Sequence, residues 1–266
     1  MFSIYYISDG TGITAETLGR ALTSRFPEIS ARSRTLPFVN TPERARDVVA
    51  RIQRESEVEG RAPVIFSTTL DSEVRAILET LDAPFFDFFE PFIGPLEQLF
   101  GHEVDSAVGR SHGLGDAQHY QRRISAVDYA LGHDDGVSTD NYAQADVILA
   151  GVSRAGKTPT SLYLALQYGL RAANYPFTDD DLEAEHLPPV LREHRDKVFG
   201  LTIEPQRLAA IRQERRPDSR YASLPQCRRE VSQVEALLRQ SGIPMANATR
   251  MSVEELAATV RAHVLG

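Results

Sequence analysis

One segment constrains the fold of this chain more than any other. Residues 151–158 read Gly-Val-Ser-Arg-Ala-Gly-Lys-Thr and match the pattern G-x-x-x-x-G-K-[ST] at every defined position. Residues 146–150 before it, Asp-Val-Ile-Leu-Ala, are typical of a short buried strand, and residues 158–169 after it are typical of a helix. A strand that enters a glycine-containing turn and then opens a helix is the context in which this pattern binds phosphate. We therefore expect a nucleotide or polyphosphate site in an α/β domain.

Each position of this loop has a chemical task. The two glycines allow a tight turn and a close approach to phosphate oxygens, and the main-chain N–H groups then converge on the anion. Lys157 is expected to reach the terminal phosphates as a catalytic cation, and the Thr158 hydroxyl to bind Mg²⁺. The predicted nucleotide- and phosphate-binding residues are Gly151, Val152, Ser153, Arg154, Ala155, Gly156, Lys157 and Thr158. The alternative is an ordinary glycine-containing turn with a surface lysine.

A phosphate-loop enzyme usually needs a carboxylate near the metal, and no strongly apolar strand ending in aspartate follows the loop. Asp134 and Asp135 precede the loop strand and are the candidate catalytic pair. They could bind magnesium or take a hydroxyl proton during phosphoryl transfer. The other candidates are residues 179–181 and Glu204. For Asp134 and Asp135 the competing interpretation is a solvated Asp-Gly turn.

Composition limits the classes of partner. The net charge of −8 argues against a broad nucleic-acid interface, which requires a basic surface. Cys227 is the sole cysteine, which excludes an internal disulfide and a cysteine metal cluster. No segment has the apolar length of a membrane span, and the N-terminus lacks a signal-peptide pattern. We expect a cytoplasmic protein with no membrane or nucleic-acid partner, for which a homo-oligomer remains an option.

Alternating strand and helix patterns predict an α/β fold. Residues 1–100 form a predicted N-terminal parallel-sheet α/β layer, residues 101–118 a connecting loop, and residues 119–266 a C-terminal P-loop NTPase-like α/β domain. The second strand is predicted over residues 34–39. Residues 84–100 are aromatic and contain three prolines, so we predict a break in the alternation there that leads into the connection. The sequence has no internal repeat.

Other polar clusters support weaker interpretations. Residues 8–12, Ser-Asp-Gly-Thr-Gly, lie at a strand-to-helix junction and indicate either a second anion site or a tight turn. Their D-x-x-G match is weak support for a GTPase, because no N-K-x-D segment is present. Seven scattered histidines lack zinc-ligand spacing, and only His133 is a metal candidate. The arginines within 212–216 and 228–229 indicate solvated helix faces, or a grip on a nucleotide or an acidic protein surface.

Longer motifs resemble a known family. In chain order they are Ile7-Ser-Asp-Gly-Thr-Gly-Ile-Thr-Ala-Glu16, His133-Asp-Asp-Gly136, the loop and its helix at 151–165, Arg171-Ala-Ala-Asn-Tyr-Pro-Phe177, Phe199-Gly-Leu-Thr-Ile203, and Glu214-Arg-Arg216 with Ser219-Arg-Tyr-Ala222. Together they resemble the phosphoenolpyruvate synthase regulatory protein family, which is related to the pyruvate,phosphate dikinase regulatory proteins. The resemblance spans nearly the whole chain, and residues 171–177 and 214–222 are nearer to the synthase branch.

The resemblance implies a bifunctional serine/threonine kinase and phosphorylase with phosphoenolpyruvate synthase as its protein substrate. Such an enzyme transfers phosphate from ADP to a threonine of the synthase and inactivates it. It also removes that phosphate with inorganic phosphate as acceptor, which releases pyrophosphate and restores activity. The family's nucleotide loop corresponds to residues 151–158, although many members lack glycine at the position of Gly156. The alternatives are a small-molecule P-loop kinase and a non-catalytic nucleotide-sensing module.

Overall fold

The computed structural model describes residues 1–104, 117–136, 138–184 and 186–265. Within these residues the chain is an α/β protein with two four-stranded parallel sheets, which confirms the predicted fold class. It divides into two compact units, Met1–Gly115 and Asp116–Gly266. Most of the predicted connecting loop at 101–118 lies outside the described residues. None of the described helices has both the length and the apolar character needed to cross a membrane.

The first unit alternates strands with helices. In chain order these are β1 (Phe2–Ile7), α1 (Ile13–Thr23), β2 (Ala31–Leu36), α2 (Pro42–Glu59), β3 (Val64–Ser67), α3 (Ser72–Leu78), β4 (Phe85–Asp87) and α4 (Glu90–Phe100). Neighbouring strands are parallel, in the order β2-β1-β3-β4. Side chains of β1 alternate between the two faces of the sheet. Tyr5 and Ile7 pack in one apolar cluster, whereas Ile4 and Tyr6 pack in another.

Two predictions for this unit are wrong. Regular structure continues through residues 84–100, because the Asp87 carboxylate accepts hydrogen bonds from the N–H groups of Phe89 (2.7 Å) and Glu90 (2.8 Å) and stabilises the start of α4. The second strand is β2 at Ala31–Leu36 rather than residues 34–39. Among the described strands β2 pairs only with β1, so it is an edge strand. An edge strand can carry exposed polar residues, which makes it difficult to predict from its sequence.

The second unit contains the phosphate loop. Its elements are α5 (Ala117–Gly132), β5 (Val147–Gly151), α6 (Lys157–Tyr168), β6 (Ala172–Pro176), α7 (Asp179–Glu183), α8 (Pro189–Glu193), β7 (Val198–Thr202), α9 (Pro205–Arg215), α10 (Leu224–Gln240), β8 (Met245–Asn247) and α11 (Val253–Leu265). Its sheet is parallel, in the order β6-β5-β7-β8. Strands β5 and β7 are buried along their whole length, which explains their mostly apolar sequences.

The two sheets share one strand order, although the sequence shows no repeat. In each sheet the first strand lies between the second and third, and a glycine with positive φ precedes the next helix (Gly12, 80°; Gly156, 88°). Ligands of such sheets bind in the crevice at the carboxyl ends of the strands, where the strand order reverses. The fold therefore places residues 151–158 at the ligand-binding edge of the second sheet.

Candidate active site

The phosphate loop joins β5 to α6 in the context that the sequence predicts. Arg154 (φ 76°) and Gly156 (φ 88°) both adopt the left-handed conformation, which turns the backbone sharply before the helix. Val152 and Ala155 are buried in the core, whereas the Arg154 side chain is exposed. Left-handed residues within a turn are typical of concave nests of N–H groups, and the first turn of α6 adds donors that the helix leaves unpaired. The backbone thus has the geometry typical of an anion-binding loop.

Gly151 is required for a reason that the sequence pattern does not indicate. A Cβ atom at this position would lie 2.2 Å from the Leu201 carbonyl oxygen of β7. The neighbouring strands are therefore too close here for any side chain. At Gly156 a Cβ would meet only Leu256 Cδ1, at 3.9 Å, so there the positive φ favours glycine.

Lys157 is 3% exposed, and its ammonium group turns back onto the loop. Nζ donates hydrogen bonds to the carbonyl oxygens of Gly151 (3.1 Å) and Val152 (2.8 Å). Burial lowers the pKa of Lys157 from 10.5 to about 8, while Asp135 and Asp134 favour its charged form. The ammonium group is thus held at the loop by neutral carbonyls. Charged phosphate oxygens would accept stronger hydrogen bonds from it than these carbonyls do.

Asp134 is the carboxylate that the fold brings into contact with the loop. Its Oδ1 atom accepts a hydrogen bond from the Thr158 hydroxyl at 2.8 Å and another from the Asn174 side-chain amide. The same amide donates to Thr158 Oγ1 at 3.1 Å. Asn174 is fully buried on β6, and its Oδ1 atom has no hydrogen-bond partner among the described residues. Side chains from a 3₁₀ turn (Asp134), from the first turn of α6 (Thr158) and from the middle of β6 (Asn174) therefore form one polar cluster.

The chemistry of this cluster fits a magnesium ion. Carboxylate, hydroxyl and amide oxygens are the hard donors that Mg²⁺ prefers, and the unsatisfied Asn174 Oδ1 is an acceptor that a further polar group would satisfy. Asp134 and Thr158 are the residues that would hold the ion. Because the described residues contain no group of three or more His, Cys, Asp or Glu side chains suited to a metal, water and phosphate oxygens would supply the other ligands, as is usual for Mg²⁺.

A short 3₁₀ turn, Asp134–Gly136, presents the two aspartates. The Asn174 N–H donates to the His133 carbonyl at 2.9 Å, which attaches the turn to β6. The His133 ring stacks on Tyr129 with 4.0 Å between centroids, and each of its nitrogens lies 2.8 Å from a backbone carbonyl oxygen. Since the main chain engages both nitrogens, His133 holds the turn rather than serving as a metal ligand. Asp135 has φ of 48° and an exposed side chain.

Of the other predicted acids, Asp181 caps a helix, and the Glu204 side chain is exposed. Asp181 accepts hydrogen bonds from the N–H and the hydroxyl of Thr178, each at 2.9 Å, in a capping box that begins α7. Glu204 immediately precedes α9, and its N–H donates to Thr249 Oγ1 at 2.8 Å. Among the candidates, the structure brings Asp134 into contact with Thr158 and places Asp135 within electrostatic range of Lys157.

Of the two interpretations of the arginines within 212–216, a solvated helix face is wrong for Arg212. Arg215 and Arg216 are exposed, but Arg212 is fully buried. Its Nη2 atom donates to the Ser153 carbonyl of the phosphate loop at 3.1 Å and to Glu230 Oε2 at 2.7 Å. Burial opposes the charged form, but the hydrogen bond and charge of Glu230 outweigh it and raise the pKa of Arg212. The residue is therefore a buried cation behind the loop.

Residues 8–12 form the corresponding loop of the first unit. Ser8 and Asp9 are buried. The Ser8 hydroxyl accepts a hydrogen bond from the Gly10 N–H at 3.1 Å, and Asp9 Oδ2 accepts one from the Leu70 N–H at 3.0 Å. These bonds explain a tight turn between β1 and α1. A second anion site in this loop stays a prediction.

The sequence patterns do not single out Asn174, and they place Arg212 only within a cluster of similar arginines. A signal for Asn174 existed, since an amide within the strand sequence Ala-Ala-Asn-Tyr-Pro is unexpected unless it has a polar partner. For Arg212 no local signal existed, because its partners Ser153 and Glu230 lie 59 and 18 residues away.

Comparison with known proteins supports one family. The sequence profile of the kinase/pyrophosphorylase family matches residues 4–260. The chain belongs to this family.

Three relatives are similar over nearly their whole length. A protein of Alkalilimnicola ehrlichii is 53% identical over 258 residues, which are 97% of this chain and 94% of the relative. Proteins of Neisseria meningitidis serogroup C (51% over 254 residues; 96% and 93%) and Marinobacter nauticus (48% over 256 residues; 96% and 94%) are comparably similar. Each carries, as a provisional name, phosphoenolpyruvate synthase regulatory protein. The family resemblance stated from the sequence motifs is thereby confirmed.

Proposed function

We propose that this chain is a bifunctional regulator of phosphoenolpyruvate synthase: an ADP-dependent kinase for a threonine of the synthase, and a phosphorylase that removes the phosphate with inorganic phosphate. Its family and the names of its relatives support this target and these reaction types. The observation that carries the proposal is the meeting of Lys157, Thr158 and Asp134 at one phosphate loop. One such centre serves both directions if it holds either the β-phosphate of ADP or free phosphate.

In the forward direction the threonine oxygen of the synthase attacks the β-phosphorus of ADP. The new O–P bond forms as the bond from that phosphorus to the bridging oxygen breaks, and AMP leaves with the bridging oxygen. The loop N–H groups and Lys157 bind the phosphate oxygens and stabilise their redistributing charge. We assign Asp135 as the base that accepts the hydroxyl proton, because its carboxylate is exposed and acts electrostatically on Lys157.

In the reverse direction an oxygen of inorganic phosphate attacks the phosphorus of phosphothreonine. The bond from phosphorus to the threonine oxygen breaks, and pyrophosphate leaves. The proton that hydrogen phosphate loses is transferred through Asp135 to the threonine oxygen, so the hydroxyl is restored. Asp135 thus takes the proton from the threonine hydroxyl in one reaction and returns a proton to the threonine oxygen in the other.

Asp134 is assigned a different task from its neighbour. Together with Thr158 it would hold Mg²⁺, which neutralises phosphate charge when bound. Asn174 donates to both side chains and so fixes their orientation. The oxygen donors of this cluster come from Asp134, Thr158 and Asn174 and do not include Asp135, which supports different roles for the two aspartates.

The test follows threonine phosphorylation of purified synthase by mass, first with ADP and then with inorganic phosphate, together with the release of pyrophosphate. We expect Lys157→Ala to lose both activities. The chain has one other lysine, Lys197, whose Nζ donates to the Ala143 carbonyl at 2.7 Å just before β7, at the end of the sheet away from the loop. Lys197→Ala is therefore the matched control and should keep both activities. Loss of only one activity in Lys157→Ala would argue for two separate sites.

The same experiment separates the alternatives. A small-molecule P-loop kinase would use its nucleotide without phosphorylating the synthase. A non-catalytic nucleotide-sensing module would bind ADP but would release no pyrophosphate from phosphorylated synthase. Either result would refute the proposed function.

A further inference from the structure

Arg212 is a buried cation in a helix whose other arginines face solvent. It is 0% exposed, on α9. A buried guanidinium is unfavourable unless its charge is neutralised and its donors are bonded. Glu230 on α10 supplies the neutralising charge, with 2.7 Å between Oε2 and Nη2. Glu230 pairs with the charge of Arg212, and the direct contact of Arg212 with the loop is a hydrogen bond to the Ser153 carbonyl.

The contacts of Arg212 converge on Ser153. Nη2 donates to the Ser153 carbonyl at 3.1 Å, and Nη1 donates to the Tyr221 carbonyl at 3.0 Å. The guanidinium carbon lies 4.0 Å from the centre of the Tyr221 ring, a cation–π contact. The Tyr221 hydroxyl lies 3.0 Å from Ser153 Oγ. Both the main chain and the side chain of Ser153 are therefore held by this one cluster.

The geometry of the peptide unit extends this constraint to the donors of the loop. The Ser153 carbonyl and the Arg154 N–H belong to the same planar trans peptide, so they point in opposite directions. With the carbonyl bonded to Arg212, the Arg154 N–H is directed away from the buried cluster. Arg154 then takes φ of 76°, which turns the following peptide in the way that anion-binding nests require.

We propose that Arg212 is a positioning residue: through the Ser153 carbonyl it orients the Ser153–Arg154 peptide so that the loop binds the phosphate groups of ADP and free phosphate. This inference rests on the proposed function, since it concerns the same phosphate loop. Arg212 itself lies behind the loop and acts through Ser153. Tyr221 supports the same peptide from the serine side chain.

The test compares variants that affect the helix in different ways. Arg212→Lys keeps the positive charge but loses the planar fork that reaches Ser153, Tyr221 and Glu230 together. Leu208→Ala is the control, because Leu208 is 0% exposed on the same helix and belongs to the apolar core. Tyr221→Phe removes only the hydroxyl beside Ser153 and leaves the ring under the guanidinium. For each variant we would measure binding of ADP and of inorganic phosphate by calorimetry, KM for the synthase, and thermal unfolding.

We expect Arg212→Lys to weaken the binding of ADP and of phosphate together, by about tenfold or more, with KM for the synthase unchanged. Leu208→Ala should lower the unfolding temperature while binding both ligands as the wild type does. Tyr221→Phe should also weaken the binding of both ligands, by a smaller factor. If Arg212→Lys does not fold, the result for Tyr221→Phe is the test of the inference.

Two results would overturn the inference. One is that Arg212→Lys binds ADP and phosphate as tightly as Leu208→Ala does when the two variants are equally stable. The other is wild-type binding in Tyr221→Phe when Arg212→Lys does not fold. A wild-type protein that binds neither ADP nor phosphate would instead refute the proposed function itself.

Discussion

Replacing Lys157 by methionine should change the pH dependence of folding stability in a way that reports directly on the buried ammonium group. Methionine fills a similar volume without a charge. In the wild-type protein, burial lowers the pKa of Lys157 from 10.5 to about 8. At about 1.4 kcal/mol per tenfold change in proton affinity, the charged lysine opposes folding by roughly 3 kcal/mol near neutral pH.

The sign follows from proton binding. Below the folded pKa of about 8 both the native and the unfolded state hold the proton, so the full unfavourable contribution is present. As the pH rises from there towards 10.5, the native state releases the proton first and the unfolded state binds more protons, so stability increases. Wild type should therefore gain about 2 to 3 kcal/mol relative to Lys157→Met between about pH 7 and about pH 10.

Near neutral pH the variant should be the more stable protein. It loses the unfavourable charge but leaves the carbonyls of Gly151 and Val152 without the lysine donor, at roughly 1 kcal/mol each. The net gain is about 1 kcal/mol, together with complete loss of activity. A residue required for phosphate binding would thus be unfavourable for the folded state.

Urea unfolding of wild type and Lys157→Met at a series of pH values measures this difference. All other titrating groups are shared, so they largely cancel in the comparison. Lys197→Met is the control for the loss of a lysine outside the loop, since Lys197 Nζ bonds to the Ala143 carbonyl instead. A wild-type-minus-variant difference that stays constant from about pH 7 to about pH 10 would refute the claim that Lys157 is a buried cation.

Two further predictions concern the aspartate pair and the loop glycines. Asp135→Asn should bind ADP as the wild type does but transfer phosphate at least about 100-fold more slowly in both directions; wild-type turnover would contradict its role as base. Gly151→Ala should lower the free energy of unfolding by about 2 to 3 kcal/mol, because its Cβ would meet the Leu201 carbonyl at 2.2 Å. Gly156→Ala should lower the free energy of unfolding by only about 1 kcal/mol. If urea unfolding shows equal losses for the two variants, this expected difference between the two glycines is wrong.

The phosphate loop could be predicted from the sequence because its information is local. Gly156, Lys157 and Thr158 are adjacent, and the strand before them and the helix after them are each encoded by a short run of residues. Asp134 and Asp135 are candidates in the sequence because they precede the loop strand. What the sequence did not distinguish was the different placement of the pair, since only Asp134 bonds to Thr158.

The features that the sequence missed depend on contacts between distant segments. Arginines 212, 215 and 216 look alike in the sequence, and only the pairing with Glu230 and Ser153 selects Arg212 for burial. Residues 84–100 carry prolines that usually interrupt helices, yet α4 forms with Pro91 in its first turn and Pro95 inside it, and Asp87 accepts hydrogen bonds from the N–H groups at its start. The need for glycine at 151 arises from the neighbouring strand β7, which local patterns do not show.

We propose that one phosphate loop transfers a phosphoryl group in both directions. The most direct measurement uses ADP labelled at its β-phosphate, purified synthase and the wild-type protein, followed by an excess of unlabelled inorganic phosphate. We expect the label to appear first on a threonine of the synthase and then in pyrophosphate, and Lys157→Ala to show neither step. Label that never reaches the synthase, or that leaves it as free phosphate instead of pyrophosphate, would rule out a loop that works in both directions.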